Sequence, residues 1–401
     1  MNPQLANKIC EEISSLPRMK RNLISLGKKD ENHKKYTDLL SKLEKQWGDK
    51  YSRKYIEKIV KSLINKFASD ENEALKSELQ EEDLKYKQYD IEQAVYIPVD
   101  GIRVDSSFSI EIGKVTFVRI SSKELKNLLD SMAFTVETMQ YSDEEKMMIL
   151  AERDKYMEEH FLHKVCSKMS IVAEPEKAYE ITVIETNKAF EILRYSIPCF
   201  NYIFDMSKRV EIGFLGSVSL GRKTGLSIST SGFYDMWRMS QEPLSLAANF
   251  QEKFNQIGLS DLSIILKKTS RTEVEEMILR FLHWISDSYI QIELENRLLS
   301  LIISLETLFG SGAHATGFGC AMLLGEDLEQ RRNIKNRVAE LYKHRNNVAH
   351  GSRKNKVEDK DVSYLILLTM ELMIRMLKLV KSGAVFSKKD LQKIIEEKQL
   401  S

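Results

Sequence analysis

From about Ser240 to the end of the chain, apolar residues recur at intervals of three and four, and this spacing restricts the fold more than any other feature. The segments 244–256, 271–290, 293–309, 328–348 and 359–381 each follow the 3.6-residue period of an α-helix. Glycine (17) and proline (6) are scarce among the 401 residues, so few positions interrupt helices. The glycines fall between the periodic segments. Gly310 to Gly319 reads as a loop with four glycines, 351–355 as a turn, and Gly383 as the end of the bundle. A helical bundle is therefore expected over 240–401.

Upstream the pattern differs. Residues 1–88 are rich in Lys and Glu, and helical spacing recurs in Tyr55, Ile56, Ile59, Val60, Leu63, Ile64 and Phe67. They read as several amphipathic helices forming a solvated arm or a partner-docking module. Near Tyr89 the composition shifts. Residues 94–99, 107–112 and 115–120 alternate like strands, with turns at Asp100-Gly101 and Gly113-Lys114. A helix is expected from Ser122 through Leu129, a strand over Tyr179 to Ile184, a helix over Thr186 to Ser196, and short strands between Gly213 and Phe233. The chain thus reads as mostly α, with an N-terminal helical region (1–88), a central α+β segment (89–239) and the C-terminal bundle (240–401).

Sixty Lys and Arg balance 59 Asp and Glu, so any nucleic-acid site must be a local patch. Cys10, Cys166, Cys199 and Cys320 are far apart and show no CxxC spacing, which suits reduced thiols in the cytoplasm. The first twenty residues carry Lys8, Glu11, Glu12, Arg18 and Lys20, unlike a signal peptide. The apolar run Val362 to Val380 is broken by Glu371, Arg375 and Lys378 and reads as a buried core helix, so no membrane partner is expected.

The local patch is near the end of the bundle. Residues 331–356 hold nine Lys and Arg and one acid, Glu340. Within them runs Arg345-Asn346-Asn347-Val348-Ala349-His350. A permanent guanidinium and an imidazole that titrates near neutrality can bind a phosphate and move a proton beside it. Ile334, Val338, Leu341 and Arg345 share one helix face, so Arg345 extends an apolar stripe and needs a partner. Glu306 falls on the apolar stripe of 293–309 and is the partner expected. His350 lies about 140° from Arg345 on an ideal helix. The two converge only if the helix unwinds near Gly351 or the site spans a groove between helices or subunits. The alternative is capping, since basic residues complement a helix C-terminus and Gly351 suits the position after it.

Leu305-Glu306-Thr307-Leu308-Phe309, the basic helix with Leu341-Tyr342, the Arg345 to Gly351 motif and the closing apolar helix occur in that order. This set resembles the C-terminal domain of the Apea-like HEPN family over about 240–385, and the strand-rich region from Val95 to Ile120 resembles the segment that often precedes it. The resemblance implies a helical bundle that forms a homodimer, two Arg-x(4–6)-His motifs in the dimer groove, and metal-independent RNA cleavage without a cofactor. It implies that Arg345 binds the scissile phosphate, that His350 is the general acid or base, and that Asn346 orients one or the other. Glu306 would support Arg345, and Arg337, Lys343, Arg353 and Lys354 would contact RNA. Relatives act in antiphage defence or as toxins, so a phage-derived or protein trigger is a further expectation, with the α+β segment as its sensor. Other relatives have lost catalysis and bind RNA or a regulatory protein.

Three other constellations are weaker. Gly216 to Thr224 approaches a phosphate-binding loop, but Arg222 is one residue too many and the residues after it alternate like a strand. His160, His163 and Cys166 recur every three residues and suit zinc if they share a helix face, but lack a fourth ligand, so packing residues are the better reading. His314 and His344 lie near the Arg345 motif and could assist there.

Overall fold

The computed structural model describes residues 1–16, 31–66, 72–104, 109–137, 141–204, 212–215, 224–228, 234–238, 244–246, 248–349 and 357–400. In chain order, helices α1 (Pro3–Ser14), α2 (Glu31–Trp47), α3 (Arg53–Lys66) and α4 (Asn72–Lys87) come first. Strands β1 (Glu92–Asp100), β2 (Ile102–Val104), β3 (Ile110–Ile112) and β4 (Val115–Arg119) follow. Next are α5 (Ser122–Glu137), α6 (Asp143–Phe161), β5 (Val165–Val172) and α7 (Pro175–Phe204). Short strands β6 (Gly213–Phe214), β7 (Thr224–Ile228), β8 (Tyr234–Arg238) and β9 (Leu244–Leu246) precede α8 (Ala248–Gln256) and α9 (Leu259–Lys267). The chain closes with α10 (Glu273–Ile290), α11 (Leu294–Phe309), α12 (Ala313–Leu324), α13 (Leu328–Ala349), α14 (Asp359–Lys381) and α15 (Lys388–Leu400). The fold is mostly α, as its periodicity requires.

The described residues form two compact units, 1–96 with 168–184, and 97–167 with 185–401. The first has its own core. Tyr36, Leu39, Leu40, Leu43 and Trp47 line one face of α2, and Ile56, Val60, Leu63 and Ile64 one face of α3. These stripes meet Ile9, Ile13, Leu75 and Leu79 from α1 and α4. Where the sequence reads as a solvated arm or a partner-docking module, the structure has amphipathic helices packed around a core of their own. The Lys and Glu residues occupy the outer faces, while each helix keeps one apolar stripe to bury.

In the second unit the sheet and the C-terminal helices share one core, from Val99, Ile112 and Phe117 through Phe281 and Leu305 to Met373 and Leu391. The main sheet has the order β3-β4-β5-β1-β6. β3 and β4 form a hairpin with Ile112 opposite Val115. Gly113 at its turn has φ +61, and its amide donates to Ser263 Oγ at 2.8 Å. A Cβ there would meet Leu266 Cδ2 at 2.6 Å, so glycine is needed for both its conformation and its contact. β2 pairs in parallel with β9, and β7 antiparallel with β8.

Four local expectations are overturned. The strand expected over Tyr179 to Ile184 lies inside the continuous helix α7. Its alternation was a chance pattern: Tyr179 and Ile184 are each 53 % exposed, while Ala178, Thr182, Glu185, Thr186 and Ala189 form the buried stripe at helical spacing. Pro175 sits in the first turn, where its missing N–H costs nothing. Residues 244–246 are strand β9 rather than the start of a helix. The supposed glycine loop 310–319 is mostly helix α12, and α15 follows Gly383, burying Leu391.

Among the described residues no single helix is long and apolar enough to cross a membrane. Only α11 and α12 taken together have the composition, across a bend of 74°.

Candidate functional site

Two helices supply the centre of the site. α11 buries Leu298, Leu301, Ile302, Leu305 and Leu308, and Glu306 projects from the same region. α13 buries Val338, Leu341 and Tyr342, and Arg345 is one turn beyond Leu341. The two charges meet, with Arg345 Nη2 3.7 Å from Glu306 Oε2 and side chains 27 % and 15 % exposed. The contact is longer than a hydrogen bond, so the attraction is largely coulombic, strengthened by partial burial.

Tyr342 ties the pair to a third helix. Its hydroxyl donates to Glu306 Oε1, and it accepts the backbone N–H of Gly312 at 3.0 Å, just before α12. Burial raises the phenol pKa, and the bond to the Glu306 carboxylate raises it further, so the hydroxyl stays a donor. The Arg345 guanidinium carbon lies 5.5 Å from the centroid of the Tyr342 ring, within cation–π range. Arg345 Nη1 donates to Asn346 Oδ1 at 3.2 Å, and Nε is buried without a hydrogen-bond partner among the described residues. A guanidinium has five N–H donors, so this one is held in place with most of its donor capacity unspent.

Helix α12 is seated by its glycines. A Cβ on Gly317 would stand 3.0 Å from the Lys335 carbonyl oxygen, and one on Gly319 2.3 Å from Phe309 Cδ1. These glycines let α12 lie against α13 and the end of α11. His314 is exposed in its first turn, with its ring parallel to that of Phe318.

Arg337, read from the sequence as an RNA contact, is committed elsewhere. It pairs with Asp361 at 2.6 Å and Glu340 at 2.7 Å and lies over the Tyr364 ring. Asp361 is buried. Burial alone would raise its pKa, but the Glu358 amide and Arg337 outweigh this and hold it below the usual carboxylate range. A carboxylate with a depressed folded pKa contributes stability above its unfolded pKa and loses it as pH falls through the folded value. Arg337→Ala is therefore expected to cost about 2 kcal/mol at neutral pH. Urea unfolding should show that deficit shrinking as acid protonates Asp361, and a deficit constant with pH would exclude this role.

Lys343 is exposed, with no carboxylate paired to it among the described residues. His344 is half-buried and its Nδ1 lacks a hydrogen-bond partner among the described residues. His350, Arg353 and Lys354 lie outside the described residues, as does the Gly216 to Lys223 part of the loop-like motif. The His160, His163 and Cys166 spacing is not realised on one helix. α6 ends at Phe161, His163 takes φ 60 in the following turn, and Cys166 is buried in β5, where desolvation pushes its thiol up to about 12. Among the described residues no group of His, Cys, Asp or Glu is arranged to hold a metal ion.

The sequence reading paired Glu306 with Arg345 but missed the link through Tyr342. The signal was available in part, because a tyrosine three residues before Arg345 neighbours it on a helix surface.

No family model, curated protein or solved structure matches this chain.

Proposed function

We propose that this chain is an endoribonuclease of the HEPN kind, cutting RNA through its own 2′-hydroxyl with Arg345, Asn346 and His350 as the reacting set. The observation that carries this reading is Arg345 itself. It is half-buried on an apolar stripe, anchored by Glu306 and Tyr342, and donates only to Asn346 among the described residues. A guanidinium held this way suits a phosphate whose negative charge grows as the bond breaks.

In the proposed reaction His350 removes the proton of the ribose 2′-hydroxyl. The 2′-oxygen attacks the adjacent phosphorus while Arg345 binds the non-bridging oxygens. The bond to the 5′-oxygen breaks, and that oxygen takes a proton from an acid in the site. A second copy of the chain is the source of that acid if the bundle dimerises, since each protomer then brings one His350 to a shared groove. The products are a 2′,3′-cyclic phosphate and a 5′-hydroxyl. The nucleophile is supplied by the substrate, so no metal-bound water is needed. A phage-derived or protein trigger and a role in antiphage defence remain part of this proposal.

A second reading is a non-catalytic dimer that binds RNA or a regulatory protein. The Glu306 contact favours it, because a paired guanidinium attracts phosphate less strongly. The two readings separate in one assay. The purified protein is incubated with single-stranded RNA or tRNA in excess EDTA, and the ends are mapped. The nuclease reading expects 2′,3′-cyclic ends, with a 2′-deoxy substrate bound but uncut. Binding without cleavage supports the second reading, and cleavage of the deoxy substrate removes the mechanism.

A further inference from the structure

The first turn of α12 presents a feature that the reacting set does not use. His314 is exposed, and its ring lies parallel to the half-buried Phe318 ring, with an interplanar angle of 10° and centroids 6.0 Å apart. No hydrogen bond fixes the tautomer of His314 among the described residues. A proton-transfer histidine is normally oriented by such a bond. The described residues stack this ring on Phe318 and set no position for a proton.

The turn that carries it is linked through Tyr342 to Glu306 and Arg345. The Gly312 amide, two residues before His314, donates to the Tyr342 hydroxyl at 3.0 Å, and Tyr342 is bound to Glu306 and lies under Arg345. Thr316 Oγ1 donates back to the Gly312 carbonyl at 2.9 Å, tightening the turn. Gly317, which faces the Lys335 backbone, is about 60° from His314 around α12. His314 therefore lies beside the line where α12 meets α13, two residues beyond the amide that binds Tyr342, and Phe318 lies one turn further along α12. Asn346 and the exposed Lys343 stand on the last turns of α13.

We infer that His314, backed by Phe318, is a stacking subsite for a nucleobase next to the phosphate held by Arg345. This inference rests on the ribonuclease reading and deepens it: the substrate is single-stranded RNA with an unpaired base beside the scissile bond. Every base has a π-face, so the subsite favours unstacked nucleotides over a particular sequence, and an RNA duplex cannot use it.

The test uses the full-length protein and a single-stranded 2′-O-methyl oligonucleotide carrying 2-aminopurine, which lacks the attacking hydroxyl and reports stacking by fluorescence quenching. His314→Ala should weaken binding by roughly five- to a hundredfold and abolish the quenching. His314→Phe should restore both, because it keeps the plane and discards the proton. Placing an abasic nucleotide at the quenched position should weaken binding to wild type but add nothing to His314→Ala. On cleavable RNA, His314→Ala should raise KM and leave kcat within about threefold. Unchanged binding in His314→Ala overturns the subsite, and so does a His314→Phe variant as weak as the alanine. Loss of kcat with unchanged KM also overturns it and makes the imidazole a proton carrier. If the wild type cleaves RNA and His314→Ala matches it, the subsite alone falls. If the wild type neither binds nor cleaves RNA, the ribonuclease reading falls with it.

Discussion

Arg345→Ala is expected to lower RNA cleavage by about 10²- to 10³-fold, the range for removing one preorganised donor to a developing oxyanion. His350→Ala should cost about 10²- to 10⁴-fold, the usual range for a general acid or base. Arg345→Lys should not rescue activity. A lysine ammonium is a point charge without the planar fork, and it cannot serve Glu306, Asn346 and a phosphate together. Glu306→Gln separates positioning from chemistry. The carboxylate accepts from Tyr342 and attracts Arg345, so its loss should release the guanidinium and reduce kcat more than KM. Because Glu306 acts through Arg345, the double variant Glu306→Gln/Arg345→Ala should be no slower than Arg345→Ala alone. Initial rates on one labelled RNA, with melting curves to confirm folding, measure all five. A folded Arg345→Ala protein that cuts at the wild-type rate would remove the proposed mechanism.

The sequence revealed different parts of this molecule for different physical reasons. α11, α13 and α14 were legible because each buries one stripe, and burial at a 3.6-residue period leaves a mark that needs no knowledge of neighbours. The Glu306–Arg345 contact was legible for the same reason. Two charges that each interrupt an apolar stripe must find a partner inside. α12 was not legible. Its glycines looked like loop signals, whereas Gly317 and Gly319 are there because neighbouring helices leave no room for a Cβ. The first turns of α7 read as a strand because their buried stripe uses Ala178 and Thr182, while Tyr179 and Ile184 face outward. The Tyr342–Gly312 part of the link is out of reach of pattern reading, since it depends on where Gly312 lies in space.

The packed core of the first unit makes the last expectation the most demanding on stability. Trp47 is completely buried, and its indole Nε1 donates to Asp83 Oδ1 at 2.9 Å. Tyr51 and Tyr86 pack around it with ring centroids 6.4 and 6.3 Å away. Trp47→Ala removes the largest side chain of that core and should cost about 3–5 kcal/mol. Trp47→Phe keeps most of the volume and loses the hydrogen bond to a carboxylate, about 1.5–3 kcal/mol. Burial alone would raise the Asp83 pKa, but Lys87, the terminal amine and Trp47 together draw it down to about 2. The stability contributed by this depressed pKa is complete above the ordinary aspartate value and disappears as pH falls toward 2. The Trp47→Phe deficit should therefore be full at pH 7 and shrink between about pH 4 and pH 2. Hydrogen exchange of amides in α1–α4 follows this unit without requiring global unfolding. Protection there that is unchanged in Trp47→Ala would show that Trp47 does not hold the four helices together. A Trp47→Phe deficit as large at pH 2 as at pH 7 would show that Asp83 is not the group responsible.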